Sequence, residues 1–238
     1  MQRKCKAAFF DVDNTLLNLK SMFSFQEYFF ANAPLPYRGQ SQSYAQFVAQ
    51  LEACPQRHDR LALNRLFYES FKGRRHSDIT TLAEHWFNRL QDEPGDGPWV
   101  RSALALANTL RNEGYLLVAV SGSCHEILAP VLRHLKFDHC LATRLETLDG
   151  IYTGKIIPPQ VIGDGKAQVI TYLLKERSLD ASACVACGDH VTDMAMLEAV
   201  GRQYVVAGDP ALEQVAATRG WPVLQAASTV HQQALVHV

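Results

Sequence analysis

The chain of 238 residues carries almost no charge imbalance: 23 Lys and Arg stand against 24 Asp and Glu, a formal net charge of −1. Its densest basic stretch is only Gly73-Arg74-Arg75-His76, so the footprint of a nucleic-acid binder is missing. The basic N-terminus, Met1-Gln2-Arg3-Lys4-Cys5-Lys6, is followed by four apolar residues, Ala7–Phe10, that run straight into acid. That is too short for a signal peptide or a membrane span, so a cytoplasmic chain with no membrane partner is expected. The six cysteines are scattered, and Cys184-Val-Ala-Cys187 has no second pair at zinc spacing. Neither a disulfide framework nor a structural zinc is expected, and Cys184 and Cys187 read as small buried hydrophobes. Internal repeats and low-complexity tracts are also missing. What remains is 47% hydrophobic and 20% charged, enough apolar material for one large domain, or one domain with a smaller insertion.

The apolar run Ala7–Phe10 reads as a buried strand. From about Ser21 to Pro98 nothing alternates like a strand. Met22, Phe25, Phe29 and Phe30 predict an aromatic-rich helix that ends before Pro34 and Pro36. Tyr44, Phe47, Val48 and Leu51 share one helical face, as do Leu63, Leu66, Phe67 and Phe71. Ser77 or Asp78 can cap a further helix with the face Ile79, Leu82, Ala83, Trp86 and Leu90, and Asp92–Pro98 is a loop. Residues 19–97 are therefore expected to form an all-helical insertion.

From Trp99 strands and helices alternate. A helix closed by Gly114 precedes the buried strand Leu116–Val120, and another helix runs through Ile127–Leu135. Asp149-Gly150 between Arg144–Leu148 and Ile151–Ile157 signals a type I′ hairpin. Lys166 opens a helix, Cys184–Cys187 is a strand, and Tyr204–Val206 and Pro222–Leu224 supply two more around a helix from Pro210. This alternation predicts an α/β fold, a doubly wound parallel sheet with helices on both faces.

Asp11 and Asp13 lie at i and i+2 just past the first strand, so both can face one site at its carboxyl end. Two carboxylates so close require a cation between them or a proton on one. A hard cation such as Mg2+, or a nucleophile paired with an acid/base, would satisfy them. An Asp-x-Asp pair alone is common in surface turns. Here Ser121-Gly122-Ser123, Lys166, and Asp189 with Asp193 also fall at strand ends or helix starts. A hydroxyl and backbone N–H groups before a helix can hold a phosphate oxygen.

Together, Asp11-Val12-Asp13-Asn14-Thr15, Ser121-Gly122-Ser123, Gly165-Lys166 and Gly188-Asp189-His190-Val191-Thr192-Asp193 resemble the haloacid dehalogenase superfamily, in its phosphoserine-phosphatase-like branch. The hairpin Leu148–Gly154 and the tail segments Gly208–Leu212 and Gly220–Leu224 are similar to that branch as well. The resemblance implies a Rossmann-like core of residues 1–18 and 98–238, a helical cap at 19–97 and a β-hairpin flap. It implies a phosphatase in which Asp11 attacks phosphorus and forms an aspartyl-phosphate, while Asp13 acts as acid and then base. Ser121, Gly122, Lys166 and Thr15 would hold the phosphoryl oxygens. Mg2+ would lie at Asp11, the backbone carbonyl of Asp13, and Asp189, with Asp193 supporting the loop or a metal-bound water. Dehalogenases usually lack the second aspartate, so Asp13 favours phosphoryl chemistry.

Lys20 stands where serine-phosphate phosphatases of the branch place a glutamate that reads the substrate ammonium. A cation there disfavours phosphoserine and favours a small phosphorylated metabolite with a second negative or polar group, unless Lys20 is a solvated hinge residue. Phe23, Phe25, Tyr28 and Phe29 line a substrate pocket or pack a helical core. His190 touches phosphate or a metal-bound water, or is a loop histidine facing solvent. Arg144, Arg74 and Arg75 are candidates for anion recognition, Tyr152 for closing over the site, and Cys124 for a reactive thiol or simple filler. The same motifs also serve a phosphotransferase or mutase, and a scaffold that binds a phosphorylated ligand without turnover.

Overall fold

The computed structural model describes residues 6–34, 37, 43–92 and 97–226. Met1–Cys5, Pro36 and positions 93–96 of the expected loop lie outside the described residues. The first strand, β1 (Ala7–Phe10), leads to four helices, α1 (Ser21–Asn32), α2 (Tyr44–Glu52), α3 (Arg60–Glu69) and α4 (His76–Asp92). Then follow α5 (Arg101–Asn112), β2 (Leu116–Cys124), α6 (His125–His134), β3 (His139–Leu148), β4 (Ile151–Ile157) and α7 (Asp164–Glu176). The chain closes with β5 (Val185–Gly188), α8 (Met194–Glu198), β6 (Arg202–Val206), α9 (Pro210–Arg219) and β7 (Val223–Leu224). Among the described residues, no helix is long and apolar enough to cross a membrane.

The strands form one sheet in the order β4-β3-β2-β1-β5-β6-β7. All neighbours run parallel except β4, which returns antiparallel on β3 at the sheet's edge. Central β1 explains why its sequence does not alternate. Ala8 and Phe10 pack with Ala103, Ile127 and Leu128 of α5 and α6, whereas Ala7 and Phe9 pack with Ile170, Met196 and Leu212 of α7–α9. Both faces of the strand are buried, so every position is apolar. Each fully buried Phe contributes roughly 2–3 kcal/mol relative to exposure. The order reverses between β2 and β5 around β1, which places the end of β1 at the crevice where such sheets bind ligands.

The segment α1–α4 packs through aromatic rings, in one cluster with the α5–α6 side of the sheet. Phe25 lies edge-on to Trp86 at 6.1 Å and tilts against Phe29 and Phe71, each at 6.4 Å. Phe25 and Phe29 are thus packing residues. The Asp59 side chain caps α3 by accepting from the N–H groups of Leu61 and Ala62. Helix α4 begins at His76, two or three residues earlier than a cap at Ser77 or Asp78 implies. Asp78 consequently lies inside the first turn and accepts from the Tyr37 hydroxyl at 2.9 Å, instead of capping the helix.

Arg74 is also placed differently from its reading as an anion ligand. It is buried, with its guanidinium 3.7 Å from the Phe29 ring centre and 4.7 Å from that of Phe71, and it donates to Gln26 Oε1 at 2.9 Å. Arg144 is exposed on β3, outside the cleft. Tyr152 does not close over the cleft either. The backbone of 73–76 pairs with the hairpin through Gly73 N–H to Tyr152 O, Tyr152 N–H to Arg74 O, and His76 N–H to Gly150 O. That pairing turns the Tyr152 ring inward against Phe71 at 5.8 Å.

Candidate active site

The chain leaves β1 with Asp11 N–H donating to Cys187 O of β5 at 2.9 Å, which fixes Asp11 at the mouth of the crevice. Asn14 then takes a left-handed φ of 60°, tolerable for Asn, and the N–H groups of Leu16 and Leu17 converge on Val12 O. This tight turn points Asp11 and Asp13 into one cleft but gives them different surroundings. Asp11 touches Lys166 Nζ. Asp13 accepts from Ser21 N–H on Oδ1 at 3.0 Å and from the Ser123 hydroxyl on Oδ2 at 3.2 Å. Thr15, expected at the phosphate, is instead fully buried and donates its hydroxyl to Asp189 Oδ1 at 3.1 Å. The turn swings its side chain beneath the acidic loop, away from the cleft.

Lys166 lies in the first turn of α7 and bridges Asp11 to Asp193, whose Oδ1 is 2.7 Å away. The other oxygen of Asp193 accepts the N–H groups of Asp189 (3.2 Å) and His190 (3.3 Å), so this carboxylate braces its own loop. Gly188 makes room for that brace, because a Cβ there would lie 2.5 Å from Asp193 Oδ2. Burial raises Asp11 to about 6, against the opposing pull of Lys166. Asp189 is pushed well up by burial and then by Asp11, and burial also raises Asp13 over the hydrogen bonds from Ser21 and Ser123. Burial alone would lower Lys166, but Asp11 and Asp193 outweigh it and hold the amine charged.

Asp11, Asp189 and Asp193 each offer an oxygen within 4.8 Å of the others. Asp11 and Asp189, which burial holds back from ionising, share with Asp193 the oxygen-only chemistry of a hard divalent cation's site, and the donor set fits Mg2+. The side chain of Asp13 stands outside this group, held by the two serines.

The Ser121-Gly122-Ser123 motif forms the irregular end of β2, which runs on to Cys124 instead of stopping at Val120. Gly122 O accepts from Asn64 Nδ2 and Tyr68 Oη, both at 3.2 Å, so α3 grips this strand end. A Cβ on Gly122 would press to 2.8 Å from Ile162 Cγ1. Cys124 is buried and its thiol is pushed up well above its ordinary value by burial, which makes it filler rather than a reactive thiol.

Counted with the solvent at its open mouth, the cleft spans about 780 Å³. Its floor is Asp11, Asp13, Ser121, Gly122, Ser123, Lys166, Asp189 and Asp193; Met22, Phe23, Leu63 and Phe67 form an apolar wall. Asn14, Lys20, Arg60, Asn64, His190 and Thr192 add to the polar lining. Burial and then the Arg60 charge lower both Lys20 and His190. The His190 ring is engaged locally, with Nδ1 accepting from Thr192 N–H at 3.1 Å and Nε2 lying 3.8 Å from Asp209. Arg60 and Asn64 are cleft residues that the sequence reading passed over. They occupy i and i+4 on the stripe that continues to Phe67, and two polar residues on an otherwise apolar helical face were the available signal. Arg60 also donates to Thr192 Oγ1 at 3.0 Å, linking α3 to the acidic loop.

A model of the haloacid dehalogenase-like hydrolase family matches residues 8–198. A Mycobacterium tuberculosis protein named "Probable phosphatase" is 34% identical over 229 residues, covering 92% of this chain and 74% of that protein. A phosphoserine phosphatase of the same organism is 29% identical over 219 residues, covering 91% of this chain and 70% of its own. In structure, a protein of unknown function from Bordetella pertussis superposes with a TM-score of 0.79 at 22% identity, over 93% of this chain and 98% of that one. Strand order, motif placement and family match agree, and the chain belongs to the haloacid dehalogenase-like hydrolases.

Proposed function

We propose that this phosphatase hydrolyses a small phosphomonoester metabolite, with Mg2+ as cofactor and an aspartyl-phosphate on Asp11 as intermediate. The observation that carries the reading is the separation of two carboxylates from one turn. Asp11 faces Lys166 and the other acidic residues, while Asp13 is held apart by Ser21 and Ser123. A pair of titratable groups in unlike surroundings is what division into nucleophile and acid requires.

In the first step an Asp11 oxygen bonds to phosphorus as the ester P–O bond breaks. The leaving oxygen keeps the bonding pair and takes the proton of Asp13, which becomes carboxylate. Asp13 then takes a proton from water as that water displaces Asp11 from phosphorus, giving phosphate and restoring both side chains. The Ser121 hydroxyl, the Gly122 N–H and the Lys166 amine hold the phosphoryl oxygens; positioning and charge stabilisation are what phosphoryl transfer chiefly needs. Mg2+, held by Asp11, Asp189 and the Asp13 carbonyl with Asp193 bracing the loop, would neutralise charge on the transferring group.

Residues 19–97 act in this reading as a cap over a core of 1–18 and 98–238, and the cap wall selects the substrate. Lys20 and Arg60 favour a second anionic group beside the phosphate, and the apolar wall a hydrocarbon body. A free ammonium meets two cations there, which disfavours phosphoserine, the substrate named for one of the relatives.

The test is phosphate release from a broad panel of phosphorylated metabolites, with Mg2+ and with chelator, beside Asp11→Asn. Selective, Mg2+-dependent release by the native protein alone is the expected result. Silence on every ester, including an activated aryl phosphate, would overturn hydrolysis as the reaction.

A further inference from the structure

The third residue of the strand-end motif, Ser123, has no part in holding phosphate in the reading above, yet it is 1% exposed and fully engaged. Its hydroxyl donates to Asp13 Oδ2 at 3.2 Å and lies 2.7 Å from the hydroxyl of Ser21, itself fully buried. Ser21 is the first residue of α1, and its N–H donates to the other Asp13 oxygen at 3.0 Å. The contacts close a ring that joins the end of β2, the carboxyl of Asp13 and the start of the helical segment.

We infer that Ser123 and Ser21 form a clasp that positions the Asp13 carboxyl to protonate the leaving oxygen. A carboxyl held at one oxygen can rotate about its Cβ–Cγ bond, whereas opposed donors on both oxygens fix its plane, and proton transfer depends on that alignment. The two donors also differ in kind. A backbone N–H is fixed by the chain whereas a hydroxyl can rotate, and Ser123, by donating to a lone pair of Oδ2, leaves the carboxyl's own proton for the leaving oxygen. An alanine at 123 would keep the fold of the strand end and remove the Ser123 donor from Oδ2. Because Ser21 belongs to α1, the clasp also makes alignment of the acid depend on that helix being seated.

The inference rests on the reading of Asp13 as the acid, and the test separates the two. kcat/KM is measured for an aryl phosphate, whose leaving group departs without a proton, and for an alkyl phosphate, whose leaving group needs one. Asp13→Asn should lose far more activity on the alkyl ester than on the aryl ester. Ser123→Ala should repeat that selectivity at smaller scale, falling about 30-fold on the alkyl ester against about 3-fold on the aryl ester, a fraction of what general acid catalysis supplies. Ser123→Thr, which keeps a hydroxyl, should recover most of the loss. Ser21→Ala, which keeps its N–H, should show a weaker form of the same pattern. Thermal unfolding confirms that each variant is folded. Equal loss on both esters for both serine variants, with Asp13→Asn still selective, would overturn the clasp alone. If Asp13→Asn is itself unselective, the assignment of the acid falls and the clasp with it.

Discussion

The two sides of the cleft are built from opposite materials. On the sheet side, Asp11 and Asp193 hold the buried Lys166, with Asp189 beside them and Asp13 set apart on its two serines. On the helical side, rings from Phe25, Phe29, Phe67, Phe71 and Trp86 interlock, with Phe23 and Leu63 turned to the cleft. The first is rich in chemistry and expensive in desolvated charge. The second is built from packing. A substitution should therefore act in opposite ways on activity and stability according to the side it falls on, as expected where active sites hold stability below its optimum.

Asp11→Asn tests this most strongly. Phosphate release should drop about 10⁴-fold, in the range seen when a reacting group is removed. The metal-free protein should unfold at the same temperature or higher, because the variant deletes a buried charge that raises Asp189 while Lys166 keeps Asp193. A marked fall in the unfolding temperature would show that Asp11 holds the fold together, and the contrast between the two sides would collapse.

The pH dependence of stability sharpens the same contrast. Asp11 rises from its ordinary 3.8 to about 6 through burial, so between those values the folded chain holds a proton that the unfolded chain has released. Stability of the metal-free protein should therefore fall as pH climbs from about 4 to about 6, by no more than about 3 kcal/mol from this group. Asp189, raised in the same direction, adds to the trend. Mg2+ should reverse the loss above pH 6, since it binds the ionised carboxylates of the folded state alone. Denaturant unfolding across this range, with Mg2+ and with chelator, measures both; a flat metal-free profile would contradict the raised carboxylates.

Arg74→Ala is the mirror experiment on the helical side. It removes the guanidinium from between Phe29 and Phe71 and leaves the Gln26 oxygen without its donor. A loss of about 2 kcal/mol in stability is expected from the desolvated cation–π contacts and the cavity. kcat on an aryl phosphate should stay within about 2-fold, because Arg74 lies outside the cleft. A large kcat effect would mean that the aromatic core reaches the chemistry.

The same division explains what could be read from residues alone. The sheet side was legible because each candidate group follows a strand or opens a helix: β1 ends just before Asp11 and β5 just before Asp189. The helical side was legible as helices but not as a surface. Which face of α3 meets the cleft is decided by how α3 settles against Gly122 and Gln160, contacts 58 and 96 residues away in sequence from Asn64. Arg60 and Asn64 were overlooked for that reason, and Arg74 and Tyr152 were misplaced because the pairing of 73–76 with the hairpin leaves no local trace. Thr15 went astray by one turn of backbone: residues 11 and 13 kept the strand's alternation, and the left-handed Asn14 broke it.

Lys20→Glu carries the smallest expected effect and probes the seam between the two sides. Lys20 precedes α1 and lines the cleft, where Arg60 on α3 is a second cation close enough to lower it. Reversing the Lys20 charge should leave a near-neutral pair in place of two cations. The ratio of kcat/KM between a phosphomonoester with a second anionic group and one with an ammonium group should then shift by about 10-fold or more toward the ammonium, a change of about 1.4 kcal/mol in discrimination. Arg60→Ala should move the ratio the same way by a smaller factor, because it deletes a charge without reversing it, and it also releases Thr192. Should both variants lower kcat alike on all esters with the ratio fixed, the two cations serve the acidic loop and not the substrate. Selection would then have to lie in the apolar wall of Met22, Phe23 and Leu63, and the helical side would sort substrates by shape alone.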